Sequence, residues 1–300
     1  MTEERKQEIL EIIRNTNRRP AQTGKPLYPE EIMAYPNLCE EIESISRTVD
    51  GFSYRMDILR AKNRGENCPL FINIHGGGFI GPHRENDTYF SAYMADQIHG
   101  ITVDLDYTLS DAAPYPVALH QCMDALDYVA EHANAWGASA KDISVGGYSA
   151  GGALTAAMGI CCAERGGFVP KLQILCYPPL EYRIPDQYKI DAYDRQIGME
   201  RCKAFADLYF DDKKENFEDI HNSPLYAPRE ILAKQPKTLI LSAGLCNFRY
   251  EDEDYAICLA DAGVEVILKR FPEASHGFIP HFMDGWKEAA DLMVREILEK

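Results

Sequence analysis

Residues 145–152, with the sequence VGGYSAGG, most constrain how this chain can fold. A run typical of a short strand comes before them at 142–145, and a run of small residues typical of a helix begins at 153. A Gly-x-Ser-x-Gly motif between a strand and a helix holds its serine, here Ser149, in a sharp and strained turn. Gly147 and Gly151 flank the serine because a Cβ would clash there. The pattern indicates a catalytic serine; the alternative is a Gly/Ser-rich turn without a role.

Runs typical of strands alternate with runs typical of helices along most of the chain. Strands are predicted at 44–49, 53–59, 69–74, 101–105, 142–145, 171–176, 238–241 and 264–268, and a turn at Asp50-Gly51 joins the first two. Helices are predicted at 3–15, 87–98, 116–132, from 153, and at 199–209, 252–261 and 286–298. The alternation predicts an α/β fold, with a mostly parallel central sheet flanked by helices. Right-handed crossovers then place the strand-to-helix loops at one edge, where sites form.

The chain has 300 residues, of which 46% are hydrophobic and 26% are charged, and this composition fits a single domain over residues 1–300. The segment from about 178 to 235 breaks the alternation with several prolines and many tyrosines and acids. It is predicted to be an insertion that lies over the carboxyl ends of the strands.

Charge and composition exclude several classes of partner. The net charge of -16 argues against nucleic acid and against an anionic membrane surface, because both attract basic proteins. No signal peptide is visible at the start, and the longest run of small apolar residues, 153–163, is too short to span a bilayer. Nine cysteines without paired spacing predict reduced thiols and a cytoplasmic location. We expect no metal and no cofactor; whether the chain forms a homo-oligomer stays open.

A serine nucleophile needs hydrogen-bond donors for the negative charge that develops on the substrate oxygen. Residues 76–78 are three glycines directly after the strand at 69–74, where backbone N–H groups can approach a substrate without side chains in the way. Together with the amide of Ala150, they are predicted to surround this oxygen. A phosphate-binding loop is the competing interpretation, but no Gly-Lys-Ser/Thr sequence follows the glycines.

The serine also needs a general base, and His276 is the candidate among eight histidines. It lies in a short loop just beyond the last predicted strand and before the C-terminal helix. This position completes the chain order of serine, acid and histidine that accompanies a catalytic Gly-x-Ser-x-Gly turn.

With these motifs in place, the sequence resembles the hormone-sensitive-lipase-like carboxylesterases of the α/β-hydrolase fold. The resemblance covers about 68–300 and rests on HGGGF at 75–79, GYSAGG at 147–152, SHGF at 275–278, YTL at 107–109, PYP at 114–116 and AGV at 262–264. It implies hydrolysis of small acyl esters through an acyl-enzyme intermediate, with Gly77, Gly78 and Ala150 as oxyanion donors. It also implies a small cap formed by about 1–43 and by the insertion at 178–235.

Three positions depart from the family pattern. Tyr148 stands before the serine where an acid is usual, and Thr108 replaces an arginine. More seriously, Cys246 occupies the place of the catalytic aspartate. A buried thiol stays largely neutral, so it cannot stabilise an imidazolium as a carboxylate does.

The acid of the triad is therefore open. We predict that Glu251 orients His276, because it follows Cys246 by five residues and has a longer side chain. A carboxylate that faces solvent at the start of a helix is an equally good interpretation of Glu251. Glu181, after the strand at 171–176, is a second candidate, and a dyad without any acid is a third.

Two classes of function follow. The first is a serine carboxylesterase acting on small, acetyl esters; the second is a non-catalytic protein that binds a small ligand on the same scaffold with an incomplete triad. A peptidase is a weaker third. Retention of both Ser149 and His276 favours the enzyme. Five tyrosines are predicted to roof the site and to limit acyl length: Tyr177, Tyr182, Tyr188, Tyr193 and Tyr209.

Overall fold

The computed structural model of the protein describes residues 1–16, 27–184 and 197–299. Its centre is one eight-stranded sheet with the order β1-β2-β4-β3-β5-β6-β7-β8. The strands are β1 (Glu43–Val49), β2 (Phe52–Arg60), β3 (Cys68–Ile74), β4 (Ile101–Asp106), β5 (Ala138–Tyr148), β6 (Leu172–Cys176), β7 (Lys237–Ala243) and β8 (Val266–Phe271). β2 pairs antiparallel with β1 and β4, whereas all pairs from β4 to β8 are parallel. The predicted α/β fold with a mostly parallel sheet is confirmed.

Helices cover both faces of the sheet. They are α1 (Glu3–Asn15), α2 (Glu30–Met33), α3 (Glu85–Gln97), α4 (Val117–His132), α5 (Ala150–Arg165), α6 (Met199–Tyr209), α7 (Arg229–Leu232), α8 (Arg249–Ala262) and α9 (Trp286–Leu298). α3 and α9 pack on one face, and α4, α5 and α8 pack on the other. Strands buried on both faces have continuous apolar runs. In β3, for example, Phe71 and Ile72 pack into the two opposite clusters.

The hairpin of β1 and β2 has the predicted turn. Val49 pairs with Phe52, so Asp50 and Gly51 alone make the connection. Both have positive φ, 54° and 84°, as a two-residue turn matching the twist of the strands requires. By contrast, α2 and α7 were not predicted, because a four-residue helix is too short to show helical periodicity.

Two helices from the segments predicted to form a cap lie against each other. Ile9 and Ile13 of α1 pack on Ala204 and Leu208 of α6. The full extent of the cap, 1–43 and 178–235, stays a prediction. In the three described ranges, no helix has both the length and the apolar character needed to cross a membrane.

Candidate active site

Ser149 lies in the sharp turn between β5 and α5, with φ 56° and ψ −122°. The backbone around it leaves no room for side chains at the flanking glycines. A Cβ on Gly147 would lie 2.5 Å from the carbonyl oxygen of Gly151, and a Cβ on Gly151 would lie 2.1 Å from that of Ile74. The strand can therefore turn into the helix beside β3 only because both positions are glycine.

His276 meets Ser149 at the carboxyl edge of the sheet. It lies in the loop between β8 and α9, and its Nε2 is 2.9 Å from the Oγ of Ser149. A serine hydroxyl that can pass its proton to an imidazole is equipped to attack a carbonyl carbon.

Cys246 contacts the other nitrogen of the same imidazole. Its Sγ lies 3.0 Å from Nδ1 of His276 and also accepts a hydrogen bond from the backbone N–H of Phe248 at 3.4 Å. Burial raises the pKa of the Cys246 thiol well above its usual value, and the carboxyl groups of Asp252 and Glu251 act in the same direction. The partner of His276 is therefore a neutral thiol.

The loops after β7 and β8, which carry Cys246 and His276, are closely packed. Gly244 donates a backbone hydrogen bond to Phe271 at 2.8 Å, and Leu245 donates one to Ala274 at 3.1 Å. A Cβ on Gly244 would lie 2.1 Å from the carbonyl oxygen of Pro272. These contacts fix the distance between Cys246 and His276 through the backbone.

At Nδ1 of His276 the structure places Cys246 and not Glu251, the residue predicted to orient this imidazole. Glu251 is buried in the first turn of α8, but its Oε2 accepts a hydrogen bond from the backbone N–H of Leu180 at 2.7 Å. The start of the helix turns this side chain towards the loop after β6, whereas Nδ1 of His276 meets Cys246. The alternative acid, Glu181, accepts a hydrogen bond from Ile184 in its own loop at 2.8 Å. The group at Nδ1 of His276 is a thiol.

Two aromatic rings enclose the imidazole of His276. The rings of Tyr177 and Phe248 are both in T-shaped contact with it, and their centroids lie 5.0 Å and 5.6 Å from the centroid of the imidazole, respectively. His276 keeps a small exposed fraction, but protein groups replace most of its water. This burial lowers its pKa to about 3, with a smaller contribution from His281. His276 is therefore neutral at physiological pH, as a general base must be.

This low pKa predicts an unusual pH dependence. Activity requires neutral His276, so it is lost only when the pH falls through the pKa of the imidazole. We expect kcat/KM for an uncharged ester to stay flat from about pH 8 down to about pH 5, where a histidine of ordinary pKa would already be protonated. Initial rates across this range, corrected for spontaneous hydrolysis, check the prediction. An acid limb centred near pH ~6.5, the ordinary value for histidine, would contradict it.

Two of the three predicted oxyanion donors lie beside the serine. Gly78 and Ala150 line the same cavity as Ser149, and Gly77 directly precedes Gly78 on the glycine loop. In the described part of the chain, no carbonyl or side chain accepts a hydrogen bond from the amides of Gly77, Gly78 or Ala150. Gly77 and Gly78 have φ of 120° and 64°, which favour glycine. Their role as donors stays a prediction.

The cavity over Ser149 is small, about 60 Å³, and its described lining carries no charged side chain. The lining residues are Gly78, Phe79, Ser149, Ala150, Pro179, Tyr182, Ile197, Cys202, Phe205, Ala206 and Phe248. Among the predicted roof residues, Tyr182 lines it, whereas Tyr177 and Tyr209 are buried and do not belong to its described lining. Tyr209 stacks on Phe79 with ring centroids 3.7 Å apart. Tyr188 and Tyr193 lie outside the described residues.

Sequence reasoning missed a buried polar network under the turn. The hydroxyl of Tyr148 accepts a hydrogen bond from Asn73 at 2.9 Å and donates one to Asp87 at 3.3 Å. Asn73 also contacts Asp104, which pairs with His83 at 2.7 Å. Two signals pointed to this network: an asparagine inside the apolar run of β3, and a tyrosine where the family has an acid.

Comparison with known proteins agrees with this geometry. A family model described as the alpha/beta hydrolase fold matches residues 71–280, which is more than half of the chain. The chain belongs to this α/β hydrolase family. The resemblance seen in the sequence motifs is confirmed, and the named relatives include a hormone-sensitive lipase from Bos taurus.

This α/β hydrolase is similar to several esterases. Esterase LipI of Mycobacterium tuberculosis is 30% identical over 71% of this chain and 66% of its own length. Carboxylic ester hydrolase LipN of the same organism is 31% identical over 75% of this chain and 61% of its own length. The chain therefore spans less than two thirds of the length of either relative. The solved structure of Pyrobaculum calidifontis esterase superposes with a TM-score of 0.79 at 25% identity, covering 98% of this chain and 92% of that one.

Proposed function

We propose that this α/β hydrolase is a carboxylesterase that cleaves small acyl esters through an acyl-enzyme formed on Ser149. The observation that carries the proposal is the 2.9 Å contact between His276 Nε2 and the Oγ of Ser149, a residue that lines an apolar cavity. The esterase names of the relatives support the reaction class.

The proposed reaction has two halves. His276 accepts the proton of Ser149 as its oxygen attacks the ester carbonyl, and returns it to the departing alcohol. The amides of Gly77, Gly78 and Ala150 bind the oxyanion. Water then attacks the acyl-enzyme with His276 again as the base. In the tautomer that permits both steps, Nδ1–H of His276 donates to Sγ of Cys246, so that Nε2 is the nitrogen that accepts a proton.

The size and the uncharged described lining of the cavity favour a substrate with a short, uncharged acyl group. A charged group would lose its water without finding an opposite charge in the described lining. The small volume favours acetyl and propionyl groups over long chains. We therefore propose acetyl esters as the preferred substrates.

An active-site probe tests the proposal directly. A fluorophosphonate should form a covalent bond with Ser149, because the probe reacts with serines that are activated by a base. Mass spectrometry of the digested protein should locate the label on the peptide that contains Ser149. Ser149→Ala should remain unlabelled. A label on another residue, or none on protein that is folded, would exclude the assignment of the nucleophile.

One observation favours the alternative of a non-catalytic ligand-binding protein. The group at Nδ1 of His276 is a thiol that burial keeps neutral, so the imidazolium formed during catalysis lacks a charged partner there. Under this alternative the protein would bind small esters without hydrolysing them. Calorimetric binding of a short ester, without labelling and without turnover, would support it.

Phe205 is expected to limit the length of the acyl group. Its ring lies so close to the glycine loop that a Cβ on Gly78 would be 2.5 Å from it. Phe205→Ala should enlarge the cavity and raise kcat/KM for hexanoyl relative to acetyl esters by about tenfold, since burial of about two more CH₂ groups, at about 0.8 kcal/mol each, corresponds to roughly this factor. A series of p-nitrophenyl esters of increasing acyl length measures this shift. Phe52→Ala, which removes an exposed ring outside the cavity lining, serves as the control; an unchanged series in Phe205→Ala would contradict the assignment.

A further inference from the structure

The buried carboxylate of Glu251 has no part in the proposed proton transfers. We propose that Glu251 is a positioning residue that holds the loop after β6, residues 177–182, against the active site. This inference rests on the proposed esterase function, and it gives Glu251 a different role from that of a triad acid.

The loop at 177–182 forms one side of the site. Tyr177 begins it, with a φ of 42° and its ring against the edge of His276. Pro179 and Tyr182 then line the cavity over Ser149. A displacement of this loop would move both the wall around the acyl group and one of the two rings that enclose the imidazole.

Three backbone N–H groups of the loop donate hydrogen bonds to other parts of the described chain. Its first residue, Tyr177, donates a backbone hydrogen bond to Leu241 of β7 at 2.9 Å. Its last, Tyr182, donates one to the hydroxyl of Ser223 at 3.0 Å. Between them, the N–H of Leu180 donates to Oε2 of Glu251 at 2.7 Å. Glu251 therefore fixes the middle of the loop, next to Pro179.

The chemistry of this contact suits a carboxylate at the start of a helix. Glu251 lies in the first turn of α8, where the helix dipole favours a negative charge. A backbone N–H that donates to a carboxylate makes a shorter and stronger hydrogen bond than a neutral pair does. Leu180 is itself fully buried, so an unsatisfied N–H there would be costly.

The start of α8 thereby fixes both rings around His276. Phe248 directly precedes the helix and contacts the imidazole from one side. Glu251 follows Phe248 closely and holds the loop whose first residue, Tyr177, contacts the imidazole from another side. Loss of the side chain of Glu251 should thus disturb the orientation of substrate and imidazole without removing a charge from the proton pathway.

Two substitutions separate this role from that of a triad acid. Glu251→Gln keeps the length of the side chain and an oxygen that can accept the Leu180 hydrogen bond, so it should retain kcat/KM within about threefold, because geometry is preserved. Glu251→Ala should lower kcat/KM by about 10- to 100-fold, because small displacements of catalytic groups are costly. The shape of the pH profile should be the same in both variants. Asp254→Ala, which removes an exposed acid on the same helix, is the matched control.

Hydrogen exchange of the peptide that covers 177–184 gives a readout independent of turnover. Exchange should rise in Glu251→Ala, stay near the native rate in Glu251→Gln, and be unaffected in Asp254→Ala. If Glu251→Ala does not fold, Glu251→Asp replaces it, because its carboxylate is one methylene too short.

Three outcomes would count against these ideas, and they are distinguishable. A loss of about 10³ or more in folded Glu251→Gln would overturn the inference and indicate a charged catalytic partner. Native exchange and kinetics in Glu251→Ala would also overturn it. Absence of both labelling and turnover in the unmodified protein would instead refute the esterase function itself.

Discussion

Cys246→Asp is expected to raise kcat/KM for p-nitrophenyl acetate by about 10³, because removal of this charge from serine hydrolases costs ~10⁴ in turnover. An ionised aspartate would stabilise the imidazolium of His276 that forms as Ser149 attacks. It would also hold the tautomer in which Nε2 accepts the proton. Steady-state rates of the purified variant measure the gain.

An aspartate at position 246 would find hydrogen-bond donors in the groups that now contact the thiol of Cys246. The Sγ of Cys246 already lies 3.0 Å from Nδ1, and the backbone N–H of Phe248 points at it. Cys246→Asn is the matched control, since it has the shape of aspartate without the charge, and it should give no gain. An equal gain in both variants, or no gain in folded Cys246→Asp, would show that charge at this position does not limit the rate.

The same substitution should carry a cost in stability. Asp252 is buried close to Cys246, and burial raises the pKa of its carboxyl well above its usual value. A second buried carboxyl group here should lower the midpoint of thermal unfolding, because the new side chain must give up its water in order to ionise in this buried position. The variant should also shift the acid limb of its pH profile upwards, since a carboxylate favours the protonated form of His276.

The second large effect concerns Ser149→Ala and depends on the residue at 246. In dissected serine hydrolases, loss of the serine costs about 10⁶ in kcat and loss of the acid about 10⁴, and the losses do not add. With Cys246 in place, Ser149→Ala should therefore lower kcat by only about 10². In the Cys246→Asp background, the same substitution should lower it by on the order of 10⁵.

A double-mutant cycle over Ser149 and Cys246 measures this difference. It compares the native chain, the two single variants and the double variant. Fluorophosphonate labelling titrates the active fraction in the proteins that keep Ser149. If Ser149→Ala lowered kcat by the same factor with cysteine and with aspartate at position 246, the residue at 246 would not act through the pair of Ser149 and His276.

The parts of the site that follow from short-range sterics could be predicted from the sequence. Gly147 and Gly151 flank Ser149 because backbone atoms approach within the radius of a Cβ, so the motif itself encodes the turn. The alternation of strands and helices determines the order of the loops, and this order places His276 beside the serine. The replacement of the family's aspartate by Cys246 was also readable from the motifs.

The direction of Glu251 could not be predicted in the same way. Its side chain is oriented by the hydrogen bond that it accepts from the backbone N–H of Leu180. Leu180 belongs to a loop whose sequence has no periodicity from which its position could be predicted. The lining of the cavity could not be predicted either. Phe205 and Cys202 come from α6, whose apolar residues form both the contact with α1 and part of the cavity wall. Periodicity identifies buried positions, but it does not tell a packing contact from a substrate contact.

The backbone contact of Gly244 with Pro272 gives the spacing of residues 246 and 276 an origin that is independent of their side chains. A thiol, an amide or a carboxylate at 246 would meet the same imidazole in the same place. Among descendants of one ancestral chain, catalytic speed could therefore vary over orders of magnitude by exchange of a single residue, while the scaffold and its substrate pocket were inherited unchanged.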